Sequence, residues 1–193
     1  MTTNKAVLAA TLVSAALFGA ILVHATVYAP DDYAPPNVAA ATSSPIDPVR
    51  ISIPSLSIDA AVQHVGINTK GNVGTPNNFT DVAWYQGSVA PGALGTAILD
   101  GHVDNGLQLA GVFKHLADIT VGSDIYISAK NGTRLHFKVR DIVNYPYTAV
   151  PMADMLAQDL RPEIALITCE GAWVAGEKTY DHRLVVYATL ASP

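Results

Sequence analysis

The chain has 193 residues and a formal net charge of −5; half of its residues are apolar and only 14% are charged. This length fits one domain with appendages, and the apolar content excludes a disordered chain. Lys and Arg form no cluster in the sequence, so a nucleic-acid partner, which would need a basic face, is not expected.

The first predicted element is an apolar stretch near the N-terminus. Residues 6–23 contain no charge and no proline, and the apolar character continues to residue 29. A helix of this length crosses about 30 Å of hydrocarbon. Because Lys5 precedes the stretch and Asp31 and Asp32 follow it, the N-terminus is predicted to be cytoplasmic. We therefore predict a membrane anchor over residues 1–29 of a single-pass cell-membrane protein. A cleaved signal peptide is the alternative, and it too exports the rest of the chain.

A linker and a folded domain are predicted after the anchor. Residues 30–48 are rich in Pro, Ala, Ser and Thr and show no apolar period, which is typical of a semi-extended spacer. From residue 49 the sequence changes to short apolar runs separated by turn residues. We therefore predict an extracytoplasmic domain over residues 49–193.

This domain is predicted to consist mainly of β-strands. Runs rich in Val, Ile and Tyr, bounded by Gly, Pro, Asn or Asp, indicate strands. They cover residues 51–54, 60–67, 95–101, 124–129, 135–145, 163–168 and 183–190. Asn131-Gly132 predicts a type I′ hairpin turn, and short helices are predicted over 111–117 and 152–160. Six to eight short strands favour an all-β fold, a closed or nearly closed barrel.

Cys169 is the only cysteine, so the chain cannot form an intramolecular disulfide. A lone thiol in an exported protein indicates a reactive group, although free cysteine is also a common core residue. Cys169 follows the apolar run EIALIT, at the end of a predicted strand, where substrate would reach a thiolate. If Glu170 pointed inward, its carboxylate would raise the pKa of this thiol.

Arg183 and two histidines are the candidate partners of Cys169. Arg183 begins the last predicted strand, and a return strand would bring its planar donors beside the thiol, where they suit a developing oxyanion; otherwise it is a solvated strand end. His102 follows the strand GTAILDG in a glycine-flanked loop, a common position for catalytic groups. His182 precedes Arg183, and neighbouring strand residues face opposite sides. The pattern favours His102 over His182 without excluding His182.

Three segments carry a resemblance to a known family. GTAILDGHVD, LITCEG and TYDHRLVVYATL, in this order, resemble the signature segments of the sortase family, and IPSLSIDAAV resembles its first strands. The resemblance covers residues 49–190. VAWYQGSVAPGALGTAIL and the Val-Val-Tyr-Ala ending are most similar to class F sortases, whereas Glu170 stands where many relatives have a small or uncharged residue.

The resemblance implies a sortase-type closed barrel of about eight strands that acts as a cysteine transpeptidase. Cys169 would be the nucleophile, His102 the acid and base, and Arg183 the oxyanion partner, while Thr168 would line the substrate groove. The enzyme would cleave an LPXTG-like sorting signal through a thioester. It would then join the surface protein to an amine of a peptidoglycan precursor or a pilin. Asp100 and Asp104 flank His102 without metal-site spacing, so no metal or cofactor is predicted.

Two alternatives to this function remain. An L,D-transpeptidase also has a cysteine in an exported β-rich domain, but in a Ser-His-Gly-Cys-like segment, whereas Ile-Thr precedes Cys169. A non-catalytic binding barrel that retains the fold is the second alternative.

Overall fold

The structure, a computed structural model, describes residues 44–191 except residues 70, 106, 108 and 158–160. Regular structure in these residues comprises eight strands, a short helix and two 3-10 turns. The strands are β1 (Pro48–Ile53), β2 (Ile58–Val65), β3 (Val82–Tyr85), β4 (Gly95–Gly101), β5 (Asp124–Ala129), β6 (Arg134–Pro146), β7 (Pro162–Val174) and β8 (Thr179–Leu190). The helix, α1, is Met152–Leu156, and the 3-10 turns are Pro54–Leu56 and Leu116–Asp118.

The predicted anchor, 1–29, and most of the predicted linker, 30–48, lie outside the described residues. None of the helices in the described part of the chain has the length and apolar content that crossing a bilayer requires. At the end of the predicted linker, Ile46 is buried in the domain core, and its N–H donates to the carbonyl of Pro91 at 2.9 Å. Packing of the domain therefore begins before residue 49.

The strands close into a barrel in the order β1-β2-β3-β4-β7-β8-β6-β5. The pairs β2–β3 and β4–β7 are parallel, and the other neighbours are antiparallel. Closure gives each strand a partner on both sides, which leaves no long sheet edge exposed to other chains. The predicted all-β closed barrel is confirmed.

Alternating side chains divide the apolar residues between the inside and the outside of the barrel. An inner cluster, with members from every strand, fills the barrel; Ile51, Leu99, Phe137 and Leu166 are among its fully buried residues. On the outer face of β4, β7 and β8 a smaller set packs under α1. This outer cluster comprises Ile98, Met155, Ala165, Ile167, Val185 and Tyr187.

Two predicted local structures are wrong. Residues 111–117 form turns and the start of a 3-10 turn, because Phe113 and Leu116 are buried side chains of a loop rather than one face of a helix. In the β5–β6 hairpin, Gly132 has φ 86° but Asn131 does not adopt positive φ, so the turn is not of type I′. The Gly132 N–H donates to the Ala129 carbonyl at 3.0 Å, a turn closed by a left-handed glycine.

Candidate active site

The strand register places Cys169, His102 and Arg183 in one row. Cys169 and Arg183 are direct partners in the antiparallel pair β7–β8, so their side chains lie on the same face. In the parallel pair β4–β7, Asp100 is the partner of Ile167. Extending that register by two residues puts His102 beside Cys169. Because neighbouring strands are about 4.8 Å apart, the three side chains emerge close together on the outside of the barrel.

Cys169 lies on the outer face of β7, just beyond the residues that the outer cluster covers. Ala165 and Ile167, at the preceding outward positions, are buried in the outer cluster, whereas Cys169 is only partly buried. Burial raises the pKa of its thiol, the Arg183 guanidinium lowers it, and the carboxyls of Asp100 and Asp104 raise it further. The net effect is a raised pKa, so the neutral thiol dominates at neutral pH.

The carboxylate that the sequence suggested, Glu170, is not among the groups that raise the thiol pKa. Glu170 pairs with His182 in β7–β8, one position beyond the Cys169–Arg183 pair. Successive strand residues point to opposite faces, so the Glu170 side chain lies across the sheet from the sulfur.

Backbone contacts fix His102 at the end of β4. Its carbonyl accepts the N–H of Phe113 at 3.0 Å, and the next carbonyl, of Val103, accepts the N–H of Gly111 at 2.9 Å. The ring Nε2 lies 3.1 Å from the carbonyl oxygen of Pro76, and the ring packs 4.9 Å from that of Phe79. Because a carbonyl only accepts, Nε2 carries the proton in this contact. In a neutral ring Nδ1 is then the nitrogen free to accept one.

Hydrogen bonds to nearby residues of β8 hold the Arg183 guanidinium and use only some of its N–H donors. Its Nη1 donates to the carbonyls of Tyr180 and His182, at 3.0 and 2.8 Å, and its Nη2 donates to the Thr179 hydroxyl at 2.8 Å. A guanidinium has five N–H donors, and these contacts use three of them. The remaining two make no hydrogen bond with any described residue. A fixed cation with spare donors is suited to an oxyanion.

Two cavities open beside this row. The first, the cysteine groove, has a volume of about 480 Å³ and includes His102, Asp104, Cys169, Trp173 and Tyr180 in its lining. The second, the arginine cavity, has a volume of about 560 Å³ and includes Ile98, Asp100, Tyr147, Met152, Ile167 and Arg183. Thr179 lines both cavities, so the two adjoin.

A tyrosine–aspartate contact connects the walls of the cysteine groove. The Tyr180 hydroxyl lies 2.8 Å from each carboxylate oxygen of Asp104 and donates to them, and Lys114 Nζ lies 3.3 Å from Asp104 Oδ2. The hydrogen bond to Asp104 is the main cause that raises the pKa of Tyr180 to about 12. The contact ties the loop after His102 to β8. The pairing of Asp104 with Tyr180 depends on the fold, because the two residues are 76 positions apart in the sequence.

Thr168 does not line the groove as the resemblance implied. Its side chain is 1% exposed, and its hydroxyl donates to the carbonyl of Gly101 at 2.7 Å. Being next to Cys169 in a strand, it points to the opposite side, into the barrel. The contact instead joins β7 to the end of β4, directly before His102.

The structure distinguishes between the two candidate histidines. His182 does not line the cysteine groove, and its Nδ1 lies 2.8 Å from the Asp181 carboxylate. His102 shares the groove with Cys169. The geometry therefore brings together Cys169, His102 and Arg183, and leaves His182 outside. Among the described residues, no group of three or more His, Cys, Asp or Glu side chains is arranged to hold a metal ion.

Comparison with solved structures places the barrel among known folds. Sortase A from Corynebacterium diphtheriae, a lid mutant, matches at TM-score 0.59 and 24% identity, over 78% of this chain and 73% of that chain. Sortase C-1 from Actinomyces oris matches at TM-score 0.57 and 26% identity, over 76% of each chain. The complex of Streptococcus agalactiae sortase C1 and MTSET matches at TM-score 0.57 and 23% identity, over 75% and 69%.

Comparison with sequences identifies the family. No curated protein sequence matches the chain significantly. The family model described as Sortase domain matches residues 51–191, which is well over half of the chain. This match excludes the L,D-transpeptidase alternative. The chain belongs to the sortase family, whose members are cysteine transpeptidases.

Proposed function

We propose that this protein is an active sortase that cleaves an LPXTG-like sorting signal and transfers the acyl part to an amine. The observation that supports this most directly is the shared groove of Cys169 and His102, with Arg183 as the register partner of Cys169. An acyl transfer needs a nucleophile, a proton donor for the leaving amine and donors for the oxyanion, and these side chains supply one each.

In the first half of the reaction the Cys169 thiolate attacks the carbonyl carbon of the signal's threonine. A carbon–sulfur bond forms, and the carbonyl oxygen takes the negative charge, which the spare donors of Arg183 stabilise. The carbon–nitrogen bond then breaks, and the His102 imidazolium gives its proton to the departing amine. The product is a thioester. Because the thiol pKa is raised, only a minor fraction of molecules holds the thiolate at neutral pH.

In the second half an amine attacks the thioester carbonyl and restores an amide. His102 takes the proton of the incoming amine, and the sulfur leaves as thiolate, so the enzyme returns to its starting state. The acceptor we propose is an amine of a peptidoglycan precursor or of a pilin. With the anchor over residues 1–29, the protein would sit in the cell membrane with its barrel outside, close to such acceptors.

The test is cleavage of a fluorogenic LPXTG peptide by the full chain in detergent, with hydroxylamine as acceptor. We expect turnover in the wild type, at least about 100-fold less in Cys169→Ala and His102→Ala, and a similar loss in Arg183→Gln, since each removes a group that acts at the transition state. His182→Ala is the matched control and keeps its activity. Loss of activity in His182→Ala with retention in His102→Ala would contradict the assignment. A folded wild type without turnover would favour the non-catalytic binding barrel.

A further inference from the structure

Asp100 carries a carboxyl group for which the described residues provide no partner. It lies on the outer face of β4, between Ala83 of β3 and Ile167 of β7 in the register. It makes no hydrogen bond and no ion pair with any residue that the structure describes. Burial raises its pKa to about 7, and the nearby Arg183 only partly opposes this effect. The Asp100 side chain is partly buried and lines the arginine cavity, so it is accessible from there. A partly desolvated carboxylate without a protein partner is stabilised by a donor that enters this cavity.

The arginine cavity supplies the space for such a donor. Asp100 lines it together with apolar side chains of the outer cluster, Ile98 and Ile167. The basic side chain in the lining of the cavity, Arg183, already donates to two carbonyls and a hydroxyl. A second carboxylate, Glu177, also lines the cavity. The cavity therefore combines an apolar wall with excess negative charge, which suits a long side chain ending in a cation.

The chemistry of the row decides which part of the substrate enters this cavity. The leaving amine must lie next to His102, its proton donor, and His102 lines the cysteine groove. An acyl part that extends in the other direction would pass Arg183 and enter the arginine cavity. Asp100 lies two residues before His102 along β4, a distance of about 7 Å. An extended peptide covers that distance in about two residues.

We propose that Asp100 is a specificity-determining residue that selects a sorting signal with a lysine or arginine within about two residues before the scissile carbonyl. This inference rests on the proposed function, because it assumes that a peptide is bound for acyl transfer. The ammonium or guanidinium end pairs with the Asp100 carboxylate, and the aliphatic stem packs on the apolar wall. No covalent step is added to the reaction.

The experiment compares pairs of LPXTG-like peptides that carry either lysine or norleucine at each position before the scissile threonine. Norleucine has a similar aliphatic stem without the charge, so the kcat/KM ratio within a pair isolates the cation. At pH 8 we expect the wild type to prefer lysine at one position by about tenfold, the ratio that corresponds to about 1.4 kcal/mol. In Asp100→Asn the ratio falls to within about twofold. The control Asp118→Asn removes an exposed carboxylate at 71% exposure in the Leu116–Asp118 turn and keeps the wild-type ratio.

Asp100 also influences the Cys169 thiol, so Asp100→Asn changes the reactivity of the enzyme toward every peptide. Such a change affects the lysine and norleucine peptides equally and cancels in the ratio of their kcat/KM values. Cleavage of both peptides of every pair without a lysine preference would overturn the inference and leave the proposed function standing. If Asp100→Asn changed the KM of the amine acceptor and kept the peptide ratio, Asp100 would serve the acceptor, and the inference would also be overturned. If folded wild-type protein cleaved no peptide at all, both proposals would fail.

Discussion

At Cys169 the nearest charges act on the thiol pKa in opposite directions. Arg183 lowers the pKa, while burial and the carboxyls of Asp100 and Asp104 raise it, with burial dominant. Removing the cation leaves only the raising effects. We therefore expect Arg183→Gln to raise the thiol pKa further and to slow alkylation of Cys169 by iodoacetamide at pH 7 several-fold, since the thiolate is the reacting form.

The measurement is the alkylation rate as a function of pH, followed by mass spectrometry on the single cysteine. The wild-type curve should have its midpoint above the pKa of about 8.5 of a free cysteine. Asp104→Asn, which removes a raising charge, should shift the midpoint downwards. A wild-type midpoint at neutral pH, or an unchanged curve in Arg183→Gln, would contradict the electrostatic description of the site.

Asp100 should lower the stability of the folded chain as pH rises. Its pKa is raised to about 7 in the folded state, whereas an aspartate in an unfolded chain ionises near pH 4. Between these values the folded state holds one more proton than the unfolded state, so the free energy of unfolding falls with increasing pH and stays lower above pH 7. Asp100→Asn removes this penalty. We expect the variant to be more stable than the wild type by on the order of 2 kcal/mol at pH 8, and equally stable near pH 3.

Urea denaturation at both pH values measures this difference, with Asp118→Asn as the exposed control. A stabilisation of the same size at pH 3 and pH 8 would show that packing, rather than ionisation of Asp100, is responsible. If Asp100→Asn were less stable than the wild type at pH 8, the carboxylate would have a stabilising partner in the folded chain, and the unpaired description would be wrong.

At the level of elements, the loop after β4 holds His102 by close backbone contact. A Cβ placed on Gly111 would lie 2.2 Å from the His102 carbonyl oxygen, whereas one placed on Gly66 would meet no atom within 4 Å. Gly111→Ala should therefore displace His102 and lower kcat/KM about 10- to 100-fold, since small misplacements of catalytic groups have effects of this size. Gly66→Ala is the matched control.

Peptide cleavage measures the loss, and the melting temperature together with Cys169 alkylation shows whether the barrel remains intact. In Gly111→Ala we expect the alkylation rate to stay within about twofold of wild type, because the thiol is on β7 and the displaced group is at the end of β4. Equal activity of the two alanine variants would mean that the loop does not position His102.

Elements whose side chains alternate between core and solvent could be predicted from the sequence. β5, for example, has the predicted bounds 124–129. β3 was not predicted, because it is only four residues long, Val82–Tyr85, and so short an apolar run does not stand out from the loops around it, whereas the longer buried runs of β4 and β7 do. β7 and β8 extend beyond the predicted 163–168 and 183–190, since their ends are held by backbone pairing of partly buried or exposed residues rather than by an apolar pattern.

The same distinction applies to the candidate site. The positions of Cys169 and His102 at the ends of apolar runs indicated the site, because the end of an apolar run is a local feature of a sequence. His102 does follow its strand directly, but the predicted strand-end position of Cys169 is wrong, since β7 continues to Val174. Asp100 and Tyr180 were not recognised as part of it, since their roles follow from the register of β4 on β7 and from the contact between Tyr180 and Asp104. Thr168 was placed wrongly because proximity in sequence to Cys169 does not mean the same face of a strand.

For the whole molecule, barrel closure separates the stability of the fold from the chemistry of the site. In the strand order, β1 lies directly across the barrel from β7, which carries Cys169. Ile51 of β1 is fully buried in the inner cluster, whereas Val49 of the same strand is 37% exposed. Ile51→Ala should lower the free energy of unfolding by about 2–5 kcal/mol, and Val49→Ala by less than about 1 kcal/mol.

Because Ile51 lines the far wall of the barrel, its loss should leave the row of Cys169, His102 and Arg183 in place. We therefore expect Ile51→Ala to keep kcat/KM within about twofold of the wild type at a temperature where both are folded, although its melting temperature is lower by several degrees. Chemical denaturation and peptide cleavage on the same preparations test the two halves of this statement. If kcat/KM fell in proportion to stability, the inner cluster would set the geometry of the site directly, and the barrel would not act as a rigid support for its outer face.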